Sequence, residues 1–188
     1  MNIFNDFKLE EKVSEDTIRK YEGVLPEEII SFWKEYGFGT FLNGYLRSVN
    51  PDDYEEVFKN SVLKDCQDAI VLFTTGMSDL ITWNGQALCI CNYRYARIEM
   101  LTTKIPLFYR YLEDDFFLFK KLFMTHYEPA IEKYGELAYD EAFGYVPMLV
   151  LGGAETVDNL DKVKIQEHIM VFSALADPIY FGENPYNL

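Results

Sequence analysis

Residues 80–91 read Leu-Ile-Thr-Trp-Asn-Gly-Gln-Ala-Leu-Cys-Ile-Cys. Asn84-Gly85 sets two residues that tolerate positive φ between two apolar runs, the strongest short-range signal for a β-hairpin. The same reading extends outward. Ala69 to Phe73 is an apolar run of strand length, Tyr95 to Leu101 reads as a further strand, and Tyr45 to Val49 as an earlier one. The hairpin fixes this region as antiparallel sheet.

Helix signals flank the sheet. Ser14-Glu15-Asp16 offers a cap and two acids for a helix stopped by Gly23, and Pro26-Glu27-Glu28 opens a second that carries Ile29, Ile30, Phe32, Trp33 and Tyr36 before Gly37. Asn50-Pro51 starts a third, through about Lys59. Beyond residue 105 the apolar period becomes helical over Asp114 to Met124 and Pro129 to Tyr134. A longer helix is predicted from an Asn159 cap to Leu175, with Leu160, Val163, Ile169 and Phe172 as its inner stripe. Leu137 to Gly153, between these helices, is rich in glycine and apolar residues. The predicted class is α+β: helices plus an antiparallel sheet in residues 1–105, and a mainly helical half, residues 106–188, packed against it. Ile105-Pro106 marks the boundary.

The chain has 188 residues, 49% of them hydrophobic and 16% aromatic, enough to bury a core. Its formal net charge is -14, shared as -6 over residues 1–105 and -8 over residues 106–188. That balance argues against binding nucleic-acid phosphates or an anionic membrane and favours fast association with a basic partner. Cys66, Cys89 and Cys91 cannot all pair within the chain, which points to a reducing compartment, the cytoplasm. The N-terminal residues lack the pattern of a signal peptide, and no apolar stretch reaches membrane-spanning length.

Catalytic signals are sparse. His126 and His168 have no Cys or His partner at metal-ligand spacing, and Cys89-Ile90-Cys91 lacks a second ligand pair. Both cysteines read as small apolar residues on one face of a buried strand, where thiol chemistry is suppressed. Gly152-Gly153 follows an apolar run but has no GxGxxG pattern and no Lys-Ser/Thr after it, and acids surround it. It reads as a backbone turn. The paired acids Glu27-Glu28 and Asp52-Asp53 sit at helix N-termini, where they favour the dipole. Glu167-His168 lies on the last predicted helix and reads as a fastener between the two halves, with Lys164 as its helical neighbour. No cofactor and no metal are implied.

Leu25-Pro26-Glu27-Glu28, Phe32-Trp33-Lys34-Glu35-Tyr36-Gly37-Phe38-Gly39, Asn43-Gly44 and Val49-Asn50-Pro51-Asp52-Asp53-Tyr54 resemble the GAD-like domain, and Asp79-Leu80, Trp83 and Asn84-Gly85 fit its sheet. The second half resembles the type VI secretion immunity domain typified by the antidote of an Agrobacterium DNase toxin. Its matching residues include Tyr139-Asp140-Glu141, Phe143-Gly144-Tyr145-Val146-Pro147, Leu151-Gly152-Gly153 and Glu167-His168. The resemblance implies a cytoplasmic immunity protein without catalytic residues that binds a cognate protein toxin, a basic one by the charge argument. Trp33, Asp79, Trp83, Tyr139, Glu141, Pro147, Gly152, Gly153, Glu167 and His168 are its candidate interface or seam residues. The divergent stretch Gln86 to Leu101 is a candidate for partner specificity. Two rival readings are a small-molecule-sensing or regulatory module and, more remotely, an enzyme using Glu167 and His168.

Overall fold

The fold is described from a computed structural model over residues 3–182. The elements are β1 (Lys8–Glu11), α1 (Glu15–Tyr21), α2 (Glu27–Tyr36), β2 (Phe38–Phe41), β3 (Leu46–Ser48), α3 (Pro51–Ser61), β4 (Ile70–Thr75), β5 (Leu80–Trp83), β6 (Leu88–Asn92) and β7 (Arg97–Thr102). They are followed by α4 (Ile105–Tyr111), α5 (Asp115–Lys120), α6 (Tyr127–Tyr134), β8 (Glu141–Tyr145), β9 (Leu160–Lys164) and α7 (Ile165–Leu175). Strands β1 to β7 form one antiparallel sheet in sequence order, and β8 and β9 pair separately. The class is α+β, as the sequence predicts.

Local chemistry sets these elements. The Ser14 hydroxyl accepts from Thr17 N at 3.1 Å and the Asn50 side chain from Asp52 N at 3.3 Å, so both predicted caps hold. In the β5–β6 hairpin the Asn84 side-chain oxygen accepts from Gln86 N and Ala87 N at 3.0 and 2.8 Å, and Gly85 has φ 89°. One face of the sheet packs under α2 and α4, with Phe73, Ile81 and Ile90 against Phe32, Trp33 and Phe108. The other packs under α3 and α7, with Val71, Cys89 and Cys91 against Phe58, Ile169 and Phe172. The first core is continuous across both halves: the Phe73 and Phe108 rings lie 5.8 Å apart, and those of Tyr45 and Tyr127 4.9 Å.

Strands β1 and β2 lie outside the strands read from the sequence, and Ile105-Pro106 opens α4. Two readings are corrected. The helix expected over Asp114 to Met124 ends at Lys120, with Phe123 at φ 55°. Asn159 caps no helix: its side chain donates to Pro147 O and Ala154 O at 3.0 and 2.9 Å, and residues 160–164 pair with β8. Leu160 and Val163 fit a helical stripe by spacing, but strand pairing decides their conformation. The C-terminal half is therefore partly helical, with a hairpin of its own.

Candidate functional site

The β4–β5 turn, Gly76 to Asp79, is the point where the two halves grip each other. Thr75 Oγ1 accepts from Met77 N and Asp79 N at 3.2 and 3.1 Å, which closes the turn locally. Gly76 N donates to Tyr45 O at 2.6 Å, Phe143 N donates to Gly76 O at 2.8 Å, and the Ser78 hydroxyl donates to Phe143 O at 3.2 Å. Glycine is required at 76 because a Cβ there would lie 2.4 Å from the Tyr127 ring.

Asp79 is fully buried. It accepts from Tyr93 N at 3.1 Å and forms an ion pair with the equally buried Arg94. Burial lifts the Asp79 carboxyl above the ordinary carboxylate value, against the pull of Arg94. Burial works against the guanidinium charge as well, but Asp79 outweighs it and holds Arg94 above its ordinary value. Arg94 also donates to Phe123 O at 3.0 Å, and the Tyr45 hydroxyl donates to Leu122 O. Both clasps fix the segment after α5 to the sheet.

Arg47 is buried among Tyr45, Tyr54, Tyr127 and Tyr139, with no carboxylate in ion-pair reach among the described residues. Desolvation lowers its pKa, offset by these tyrosines. Tyr139 donates to Ser48 O at 2.6 Å and Tyr127 to Asn43 O at 3.0 Å, so both rings are themselves interlocks.

The remaining candidate residues fall into three groups. Trp33 is buried between Tyr21 and Phe38, at 5.7 and 5.5 Å between ring centres, and Trp83 is buried at the far end of β5. Glu141 accepts from Ala138 N at 2.9 Å and lies 3.6 Å from Lys164, which also pairs with Asp140 at 2.8 Å. Lys164 thus serves the β8–β9 corner and not Glu167. Pro147, Gly152 and Gly153 form a tight loop in which Gly152 has φ 84° and a Cβ on Gly153 would fall 1.9 Å from Pro147 O.

Glu167 is exposed, and His168 lies half-buried with its ring against Gly144, where a Cβ would come within 2.6 Å. The two do not act together. His168 borders a void of only about 10 Å³ shared with Ser78, Arg94 and Tyr145, room for one water at most. Desolvation pushes its pKa down to about 4, so the ring is neutral at pH 7. Cys89 and Cys91 are buried, and burial raises both thiols, Cys89 to about 11. Every β6 side chain is buried, so within the stretch Gln86 to Leu101 that strand presents nothing to a partner. Among the described residues no group of three or more His, Cys, Asp or Glu could hold a metal ion, and no helix is long and apolar enough to cross a membrane.

Residues 1–92 match the family model of the GAD-like domain, and residues 102–176 that of the C-terminal domain of T6SS immunity protein Tdi1. The chain belongs to the type VI secretion immunity family with this domain order. No curated protein sequence matches it. The crystal structure of Atu4351 from Agrobacterium tumefaciens is similar, with a TM-score of 0.77 at 18% identity over 100% of this chain and 94% of that one, which shows a shared fold. Within this immunity family the motif residues divide by place: Asp79, Tyr139 and His168 lie along the seam between the halves, while Glu167 faces solvent.

Residues of the GAD-like match also shape the outer surface. A groove of about 630 Å³ runs along α2 beside α4, with Glu27, Glu28 and Glu35 on its rim and Tyr109 in its wall. The sequence signal for it was the helical spacing of Glu27, Ser31 and Glu35, four residues apart, which sets them on one face. The Asp79–Arg94 pair had no such signal, because the partners stand fifteen residues apart on different turns.

Proposed function

We propose that this immunity protein neutralises a basic cognate toxin in the cytoplasm, a nuclease being the class its charge fits best, by stoichiometric binding and without catalysis. The observation that carries the reading is the match of residues 102–176 to the Tdi1 immunity domain, in order behind the GAD-like match. The seam chemistry supports it: Asp79 and Arg94 engage each other, and His168 is neutral beside a void too small for a substrate. The net charge of -14 suits a toxin whose own groove attracts phosphates. Residues 1–105 and 106–188 act in this proposal as one binding body, since they share a core.

The test is co-expression with the toxin encoded beside this gene. Growth should be restored by the wild-type chain, and the purified proteins should form a complex of fixed stoichiometry. Protection without a detectable complex would turn the reading towards an enzymatic or regulatory role.

A further inference from the structure

The last helix, α7, is apolar on both of its sides. Ile165, Ile169 and Phe172 face inwards onto the core that the helix shares with α3 and the sheet. The outward residues fall into two adjacent rows at four-residue spacing, 166/170/174 and 167/171/175. Only the first turn of these rows is polar, with Gln166 and Glu167. The next two turns hold Met170, Val171, Ala174 and Leu175, and the three large side chains, Met170, Val171 and Leu175, are 61%, 49% and 57% exposed. None of those three packs against either core of the described chain. A surface helix ordinarily carries polar groups along this face, and a contiguous apolar one marks an interaction site.

The charge around the face selects its occupant. Each of the other six α-helices of the described chain carries Lys or Arg in its last turn, where a cation offsets the negative end of the helix dipole. Helix α7 carries none, and Asp177 follows its cap. No Lys or Arg occurs between residues 165 and 178, and neither Glu167 nor Asp177, both exposed, joins an ion pair among the described residues. The exposed pair Phe116 and Phe119 on α5 differs, because Lys120 stands one turn from Phe116. A second copy of this chain does not suit the α7 face: laid parallel or antiparallel, two such helices bring acid against acid, with -14 on each chain. The three side chains also expose only on the order of 300 Å², well under the roughly 800 Å² per partner of a stable interface, so the face is one anchor within a wider contact.

We infer that the outer face of α7 is the apolar anchor on which the cognate toxin seats a basic amphipathic segment, with apolar side chains on Met170, Val171 and Leu175 and cations on Glu167, Asp177 and the carbonyl end of the helix. The inference rests on the immunity reading and names the surface that carries it out. Desolvation of the three side chains supplies slow dissociation, and the acids fix the register of the segment.

The experiment measures binding of the neighbouring-gene toxin, disabled in its activity, by surface kinetics. The first variant is Met170→Gln, Val171→Gln, Leu175→Gln, which keeps good helix formers on α7. The second is Glu167→Gln, Asp177→Asn. The third, a control, is Leu9→Gln, Val24→Gln, Phe116→Gln, exposed to a similar extent and away from α7. The first should weaken binding by about 30-fold or more, nearly all of it in dissociation, the second by about 3- to 10-fold, and the control by less than about 3-fold. All three should melt within about 5 °C of the wild type, since exposed side chains change stability little. Equal losses from the first variant and the control would overturn the anchor and leave the immunity reading standing. A larger fall in melting temperature for the first variant alone would also overturn it, by showing that the chain's own residues 183–188 cover the face. Sedimentation tests the remaining occupant: a wild-type dimer that the first variant splits would make α7 a self-contact and overturn the anchor too. Absence of binding by the wild-type chain would overturn both readings.

Discussion

The seam around Gly76 to Asp79 and the groove along α2 are both rich in charge and aromatic rings, yet they spend these groups differently. In the seam most polar groups meet partners from elsewhere in the chain: Asp79 meets Arg94, Ser78 and Gly76 meet Phe143, and Tyr45 meets Leu122. In the groove the acids have no ion-pair partner within the described chain and one buried hydroxyl is unsatisfied. Arg47 Nε and Arg94 Nε are also without hydrogen-bond partners in the buried seam, so what separates the two regions is exposure: the groove acids face solvent and the seam groups do not.

The comparison is broken most severely at the ion pair. Asp79→Ala leaves Arg94 charged, buried and unpaired, and should cost about 3–5 kcal/mol in urea unfolding. A loss near zero would mean that the seam does not depend on that pair. Next in size is Gly153→Val. A side chain there overlaps the Pro147 carbonyl, and about 3 kcal/mol should be lost whether or not toxin is present. Unchanged melting with lost binding would make this loop part of the interface.

Smaller and pH-dependent is the effect of His168. Its folded pKa of about 4 lies below its ordinary 6.5, so the unfolded chain takes up the proton first and acid favours unfolding. The contribution is complete above about pH 7 and declines as pH falls from 6.5 towards 4. His168→Leu should remove it, so the wild-type chain should lose about 2 kcal/mol relative to the variant between pH 7 and pH 5. Parallel pH profiles would contradict a buried neutral ring. The smallest expected effect is on the stability of the triple variant Glu27→Gln, Glu28→Gln, Glu35→Gln. These exposed acids make no ion pair within the described chain, and Glu27 and Glu28 lose only their interaction with the α2 dipole, so unfolding should change by no more than about 1 kcal/mol, measured in the same urea series.

The same contrast explains what was legible in the sequence. Local signals came through: Asn84-Gly85 gave the hairpin, and Ser14, Asn50 and Gly37 gave helix ends. Strand β1, Lys8–Glu11, is exposed along its whole length and shows no alternation to read, and β2 is four residues long with a glycine at its second position. Leu160 to Lys164 was assigned to a helix because Leu160 and Val163 stand three apart, a spacing that fits a helix face. Its pairing with β8 is a contact across more than a dozen residues, which periodicity does not encode. The seam was visible only by its members. Asp79, Tyr139 and His168 stood out by resemblance, but Arg94, Arg47 and Gly76 gained meaning only from the neighbours that the fold brings to them.

The central claim is that open acids on the outer surface steer a basic toxin while desolvated contacts hold it. It is tested most directly by binding kinetics of the wild-type chain with the neighbouring-gene toxin at low and high salt. Association should slow by about tenfold or more between 50 mM and 500 mM salt, since the Debye length shrinks to a few ångströms, while dissociation changes by less than about threefold. Association that ignores salt would contradict the account and reduce the charge of -14 to a matter of solubility.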